Sequence, residues 1–183
     1  MNKPYSASCD NNCEPIFSVL ERLLENCRSV LEIGSGTGQH AVYFAERLPQ
    51  LTWQCSDLEE NHAGIMQWLG EAALPNTPAP LSLDVRLNDM AALSFDAVFS
   101  ANAIHIMGWD AAKLMIQGVG KILSENGLFI LYGPFNYGNR YTSESNARFD
   151  EWLKQCNPES GIRNFEDVDQ LANDAQLALL EDI

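Results

Sequence analysis

Apolar positions along the chain follow two alternating rhythms. Ile16, Leu20, Leu23, Leu24 and Cys27 share one helical stripe and predict a helix over Cys13–Cys27. A short apolar strand, Ser29–Ile33, comes next, and then a helix from Thr37 to Leu48 with Ala41, Phe44, Ala45 and Leu48 on one face. The alternation continues with a strand at Leu51–Ser56 ending at Asp57, a helix over Glu59–Leu69, and a loop carrying Pro75, Pro78 and Pro80. Strands are expected at Leu81–Leu83 and Phe95–Ser100. A helix over Trp109–Leu123 aligns Ala112, Met115, Val119, Ile122 and Leu123. Asn126-Gly127 reads as a turn into a strand at Leu128–Tyr132, and two helices fit Ser143–Cys156 and Phe165–Ala175. Asn164 with Asp167 resembles an N-cap arrangement for the last helix. The stretch Ala178–Ile183 reads as a sixth strand cut short. Strands alternating with helices predict an α/β fold, a doubly wound parallel sheet covered on both faces. Residues 1–183 read as one domain, with an N-terminal lid or helix over 1–27 and a sheet core over 28–183.

The first strand runs into Val30-Leu-Glu-Ile-Gly-Ser-Gly-Thr-Gly38, three alternating glycines that open a helix. Strand, glycine-rich turn and helix form the entry to a nucleotide-type site, because glycines let backbone approach a ligand closely. A dinucleotide pyrophosphate wants amides and a helix N-terminus without a nearby carboxylate. Here Glu32 stands two residues before Gly34, and Gln39 occupies the place of the third glycine of G-x-G-x-x-G. Gly34, Gly36 and Gly38, with Ser35 between them and an acid ahead, instead suit S-adenosylmethionine, whose sulfonium and ammonium attract a carboxylate.

In a doubly wound sheet, ligands sit beyond the carboxyl ends of strands. Asp57, followed by Leu58, is placed to accept both ribose hydroxyls. Asp84-Val85 offers a carboxylate and an apolar wall for adenine, and Asn102 and His105 end the fourth strand. The alternative for Asp57 and Asp84 is ordinary loop initiation. His105 is the histidine placed for proton transfer, with packing as its alternative. His40, in the first turn of a helix, reads as neutral, and His62 as a solvated helix residue. The Asp/Asn-Pro-Pro-aromatic run usual in methyltransferases that modify nucleobase amines or glutamine amides does not follow the fourth strand, where Asn102-Ala103-Ile104-His105 has no proline, so amine methylation of nucleic acid loses support. Tyr132, Phe135, Tyr137 and Tyr141 lie in a glycine-containing loop that reads either as a movable substrate wall or as a surface loop with anchoring aromatics.

Eleven basic residues against twenty-five acidic ones give a net charge of −14, a field that repels nucleic acid and anionic membranes. Five cysteines are scattered, and no Cys/His pair completes a zinc site, so no metal is expected. Cys27, Cys55 and Cys156 read as small core residues. The polar N-terminus carries no signal peptide pattern and no apolar run reaches spanning length, so a cytoplasmic, reduced setting is expected.

With these residues in view, the chain resembles the class I S-adenosylmethionine-dependent methyltransferase family that includes methyltransferase-like protein 26, the domain-of-unknown-function 938 group. The likeness lies in Asn12-x-Glu14-Pro15-Ile16, the glycine loop through His40-Ala41, and Leu51-Thr-Trp-Gln54 with Asp57. It continues in Ala101-Asn102-x-Ile104-His105-Ile106, Leu131-Tyr-Gly-Pro134, Thr142-Ser-Glu-Ser-Asn146 and Glu166-Asp-Val168. The resemblance implies a seven-stranded methyltransferase fold and S-adenosylmethionine binding, and supplies no substrate. The departure is the C-terminal strand hairpin, which this sequence lacks or carries truncated. The reading is methyl transfer to a small-molecule acceptor, by in-line attack on the sulfonium methyl carbon. Tyr5, Asn12 and Tyr137 would border the acceptor, with Tyr5 to Asn12 mobile. The rivals are a non-catalytic binding protein on the same fold and, less favoured, an NAD-dependent oxidoreductase.

Overall fold

The computed structural model describes residues 3–183. One compact unit holds residues 3–84, Ser94–Ser100 and Leu123–Ile130; the other holds Val85–Leu93, Ala101–Ile122 and Leu131–Ile183.

The first unit, which ends within the last residues of β4 and β5, is organised by a five-stranded sheet of β1 (Ser29–Ile33), β2 (Thr52–Asp57), β3 (Leu81–Ser82), β4 (Phe95–Ala101) and β5 (Leu123–Tyr132), in the order β3-β2-β1-β4-β5. The pairs β1–β2, β1–β4 and β2–β3 are parallel. This is the expected α/β architecture, with the order reversing at β1 as in doubly wound sheets. Val30, Leu31 and Ile33 are all buried, as an apolar run without alternation requires of a parallel strand. Beneath the sheet's first crossover, the rings of Phe44, Trp53 and Phe99 pack with centroids 5.3, 5.7 and 5.8 Å apart. Such aromatic pairs add about 0.5–1.5 kcal/mol each beyond the area they bury.

Helix α1 (Ala7–Leu23) begins at Ala7 rather than at Cys13. Ser6 caps it, its hydroxyl accepting from the Cys9 amide. Its first turns carry mostly polar residues, which hides them from a search for apolar periodicity. Helix α2 (Gln39–Arg47) starts after Gly38, because the left-handed φ of 89° there is not helical. Helix α3 (His62–Ala72) follows a short 3₁₀ turn at Glu59–Asn61. β5 begins at Leu123, earlier than expected: Asn126 takes a left-handed φ of 63° within the strand, so Asn126-Gly127 bends it instead of separating it from the helix.

The second unit contains α4 (Ala103–Ile106), α5 (Trp109–Ile122), α6 (Glu144–Cys156) and α7 (Phe165–Asp174), with β6 (Phe135–Asn136) parallel to β7 (Arg163–Asn164). The apolar stripe of α5 is buried at Ala112, Met115, Ile116, Val119 and Ile122. Asn164 holds the N-cap position of α7, but its amide donates to the Asp167 carboxylate at 3.0 Å and caps no backbone amide. The sixth strand expected at Ala178–Ile183 does not form. A strand exists through its pairing, and here the segment is irregular, with Leu179, Leu180 and Ile183 exposed. Cys27 and Cys55 are buried as expected; Cys156, at the end of α6, is exposed.

Candidate functional site: the glycine loop

All three loop glycines adopt left-handed φ, 76° at Gly34, 57° at Gly36 and 89° at Gly38, conformations that side chains resist. The amides of Gly34 and Ser35 both donate to the Ser56 carbonyl, at 3.0 and 3.1 Å. The turn is thereby stitched to the end of β2. Gly38 is required for a second reason: a Cβ there would stand 3.2 Å from the Ile65 backbone. At Gly36 the space is open, with nothing within 4 Å of such an atom.

Glu32 lies beneath this turn and is 1% exposed. Its Oε2 accepts from Ser35 Oγ at 3.0 Å and Trp53 Nε1 at 3.1 Å. Burial pushes its pKa up to about 7, against the lowering effect of those donors. The carboxyl expected to face a cation is therefore engaged under the loop, bracing it.

Asp57 closes the turn from the other side. Its Oδ2 accepts from the Gly36 amide at 2.7 Å, while Oδ1 accepts from the Leu58 amide at 2.7 Å and Asn61 Nδ2 at 2.8 Å. An internal carboxylate thus occupies the amide at the tip of the turn, the position at which a phosphate-binding loop would offer its donor. Leu58 is 37% exposed beside it, and Asp84 follows β3 half-buried. His62, expected to be solvated, is half-buried, its Nε2 3.2 Å from the Asp57 carbonyl.

The N-terminal residues expected to be mobile are held against the same turn. Gln39 contacts Ser6 and Asp10, and Asn12 is buried with its Oδ1 2.7 Å from His40 Nε2. Asn12 therefore docks α1 on α2 and is not open to an acceptor. His40 is buried among Phe44 and Phe99, and desolvation lowers its pKa to about 4, in keeping with a neutral ring. Tyr5 remains exposed, donating to Asp10 Oδ2 at 2.6 Å.

Val85, Asn102, His105 and Tyr137 belong to the second unit. Val85 is half-buried. Asn102 takes a left-handed φ of 60°, and its amide donates to the Tyr132 carbonyl at 2.8 Å. His105 is fully buried, edge-on to Phe135, and neither ring nitrogen has a hydrogen-bond partner. Burial, with a smaller contribution from Arg163, lowers its pKa to about 4. In this enclosure the ring packs the unit and has no open edge from which to take an acceptor's proton. A Cβ on Gly133 would come within 2.5 Å of its Nε2. The aromatic loop is anchored: Tyr137 stacks on Phe165 and donates to Asp182, and Tyr141 donates to Asp150.

Two structural organisers escaped the sequence. Gln39 drew notice only as a missing glycine, though a long amide directly after a glycine turn is itself a signal of side-chain bonding. Asp150, almost wholly buried, gathers the Tyr141 hydroxyl, Lys154 and the Ile162 amide. Its i,i+4 spacing to Lys154 was the available clue.

Among the described residues, no group of His, Cys, Asp or Glu could hold a metal ion, and no helix is long and apolar enough to cross a membrane. Residues 3–183 match the family described as "Protein of unknown function (DUF938)". The fold is similar to an O-methyltransferase family protein from Burkholderia thailandensis, with a TM-score of 0.83 and 18% identity, over 95% of this chain and 54% of that one. It is also similar to the S-adenosylmethionine-dependent methyltransferase SibL in its apo form (TM-score 0.77, 17% identity, 92% and 49%). A third likeness is to a Nostoc punctiforme protein provisionally named as an O-methyltransferase (TM-score 0.79, 14% identity, 91% and 50%). The chain spans about half the length of these solved proteins.

Proposed function

This chain belongs to the DUF938 family, and on that premise we propose that it is an S-adenosylmethionine-dependent methyltransferase acting on a small molecule. The observation that carries the reading is the bond from the Gly36 amide to Asp57 Oδ2. It places a carboxylate at the tip of the turn, which disfavours a pyrophosphate and suits a neutral, hydroxyl-bearing ribose. The open space at Gly36, the remaining acceptor capacity of Asp57 and the exposed apolar Leu58 fit an adenosyl group. The fold shared with SibL and the O-methyltransferases supports the same reading. The first unit's turn, Asp57 and Asp84 would hold the cofactor; Glu32 would keep the turn in shape.

Bound S-adenosylmethionine supplies an electrophilic sulfonium methyl carbon. The protein's part is orientation and exclusion of water, which are sufficient sources of acceleration for an in-line displacement. No proton acceptor is obligatory, consistent with the enclosure of His105. That enclosure also favours the rival, a binding protein without turnover. The net charge of −14 weighs against polyanionic acceptors, and the free cysteines are in keeping with a reducing, cytoplasmic setting.

Calorimetric titration with S-adenosylmethionine, S-adenosylhomocysteine and NADH tests the cofactor. Micromolar binding of the first two and none of the third is expected; the reverse pattern sinks the proposal. Release of S-adenosylhomocysteine with a metabolite pool then separates enzyme from binder.

A further inference from the structure

The chain before α1 is tied down by a single side chain at the far end of the glycine turn. Gln39 is buried, and its amide is fully used. Its Oε1 accepts from the Ser6 amide at 2.6 Å and from Thr37 Oγ1 at 3.0 Å. Its Nε2 donates to the Ser6 carbonyl at 3.2 Å and to Asp10 Oδ1 at 2.8 Å. The pair of hydrogen bonds with Ser6 imitates one rung of a β-ladder, so a side chain grips backbone as a strand would. Asp10 passes the grip on, its other oxygen accepting from Tyr5, and Cys9 lies alongside Thr37. Further along, the Trp68 indole donates to the Pro4 carbonyl at 2.7 Å, and Lys3 lies over the Trp68 ring. Gly64 leaves room for Pro4: a Cβ there would meet the proline ring at 2.7 Å.

We propose that Gln39 is a positioning residue that latches the segment Pro4–Asp10 against the Thr37–Gln39 end of the glycine turn, so that the segment forms a wall of the cofactor site. This rests on the cofactor reading above. The latch has a consequence for the turn itself. Thr37 and Gln39 flank Gly38, and both are held through the one amide, so releasing the segment also frees the last residues of the turn. Closing the wall slows escape of a bound adenosyl group, and opening it speeds both entry and exit.

The test uses the full chain. Gln39→Met keeps the volume and removes every bond, and Gln39→Glu keeps the acceptor for Ser6 but sets a second carboxylate against Asp10. Hydrogen exchange at the amides of Ser6 to Asp10 in the free protein is expected to quicken at least tenfold in both variants. Dissociation of S-adenosylhomocysteine, followed by stopped flow, is expected to quicken at least threefold. Adding Asp10→Asn to Gln39→Glu supplies a donor facing the new carboxylate but none for the Ser6 carbonyl, and should recover part of the slow exchange and slow release relative to Gln39→Glu, a partial rescue that loss of packing would not show. Unchanged exchange in Gln39→Met overturns the latch. Faster exchange with unchanged release overturns its role at the site. If the unaltered chain binds no S-adenosylhomocysteine, the cofactor reading fails, while the exchange measurement still decides the latch.

Discussion

Replacing Asp57 probes the turn and the cofactor reading together, and the two effects separate in size. The carboxylate accepts three hydrogen bonds, from the Gly36 amide, the Leu58 amide and Asn61 Nδ2, at 2.7, 2.7 and 2.8 Å. Bonds to a charged acceptor contribute about 1.5–3 kcal/mol each, so a plain sum gives roughly 5–9 kcal/mol. That sum is too large, because Gly36, Leu58 and Asn61 are all exposed and water can replace the lost acceptor. A net loss of about 2 kcal/mol is the better expectation for Asp57→Ala, a fall in Tm of about 4–8 °C for a chain of this size. Asp57→Asn should do no better. Donors face both carboxylate oxygens, and an asparagine must turn its own NH₂ toward one of them. Cofactor affinity should fall as well, by a separate and smaller amount, because the ribose loses a charged acceptor for its hydroxyls. The expected weakening is at least tenfold, about 1.4 kcal/mol, in calorimetric titration with S-adenosylhomocysteine. Unchanged affinity in a folded Asp57→Ala protein would refute the assignment of this carboxylate to the ribose. Unchanged Tm would refute its role in holding the turn.

The buried ionisable groups give two opposed pH limbs. Glu32 has a folded pKa of about 7, raised by burial, so it disfavours folding progressively as pH rises from its unfolded value near 4.5 to about 7. Glu32→Gln keeps an acceptor for Trp53 and Ser35; its Tm relative to the unaltered chain should climb across that window, by the equivalent of up to about 3 kcal/mol, and a pH-independent difference would contradict the assignment. His40 and His105 have folded pKa values lowered to about 4, so the stability of their neutral forms is present above about pH 6.5 and lost as pH falls toward 4. His105→Leu should flatten part of that acid limb in a thermal denaturation series from pH 7 to 4, because it removes a ring that the unfolded chain protonates in this range and the folded chain does not. Gly133→Ala should destabilise by roughly 2–4 kcal/mol, through its φ of 153° and the clash with His105, and lose less in a His105→Ala background. Strict additivity in that double-mutant cycle would show that the clash is absent.

The sheet was legible because parallel strands buried on both faces write themselves as apolar runs, as in Val30-Leu31 and Ala97-Val98-Phe99. The turn was legible because nothing but glycine suits three left-handed residues in five. Asp57 was placed correctly at the end of β2, yet its bond to Gly36 was not foreseen, since a carboxylate's partner in another segment leaves no local trace. The start of α1 was missed for a related reason. Its first residues, Ala7 to Asn12, are fixed by polar bonds to α2, and polar docking has no periodicity to read. Ala178–Ile183 looked like a strand through composition, but β-propensity reflects a pleated, half-buried setting, and these exposed residues have none.

The bond from the Trp53 indole to Glu32 also has an optical meaning. Of the four tryptophans, Trp53 is fully enclosed, whereas Trp152 is more than half exposed. Its N–H ends on a carboxyl that also accepts from Ser35 in the glycine turn. An indole in its excited state shifts charge across the ring, so its emission responds to whether that carboxyl is ionised and where it lies. The molecule therefore carries a fluorophore directly under the turn, shielded from the external quenchers that reach Trp152, while Trp68 and Trp109 are half-buried. Movement of the turn that shifts Glu32 should change the Trp53 contribution to the emission, without a label.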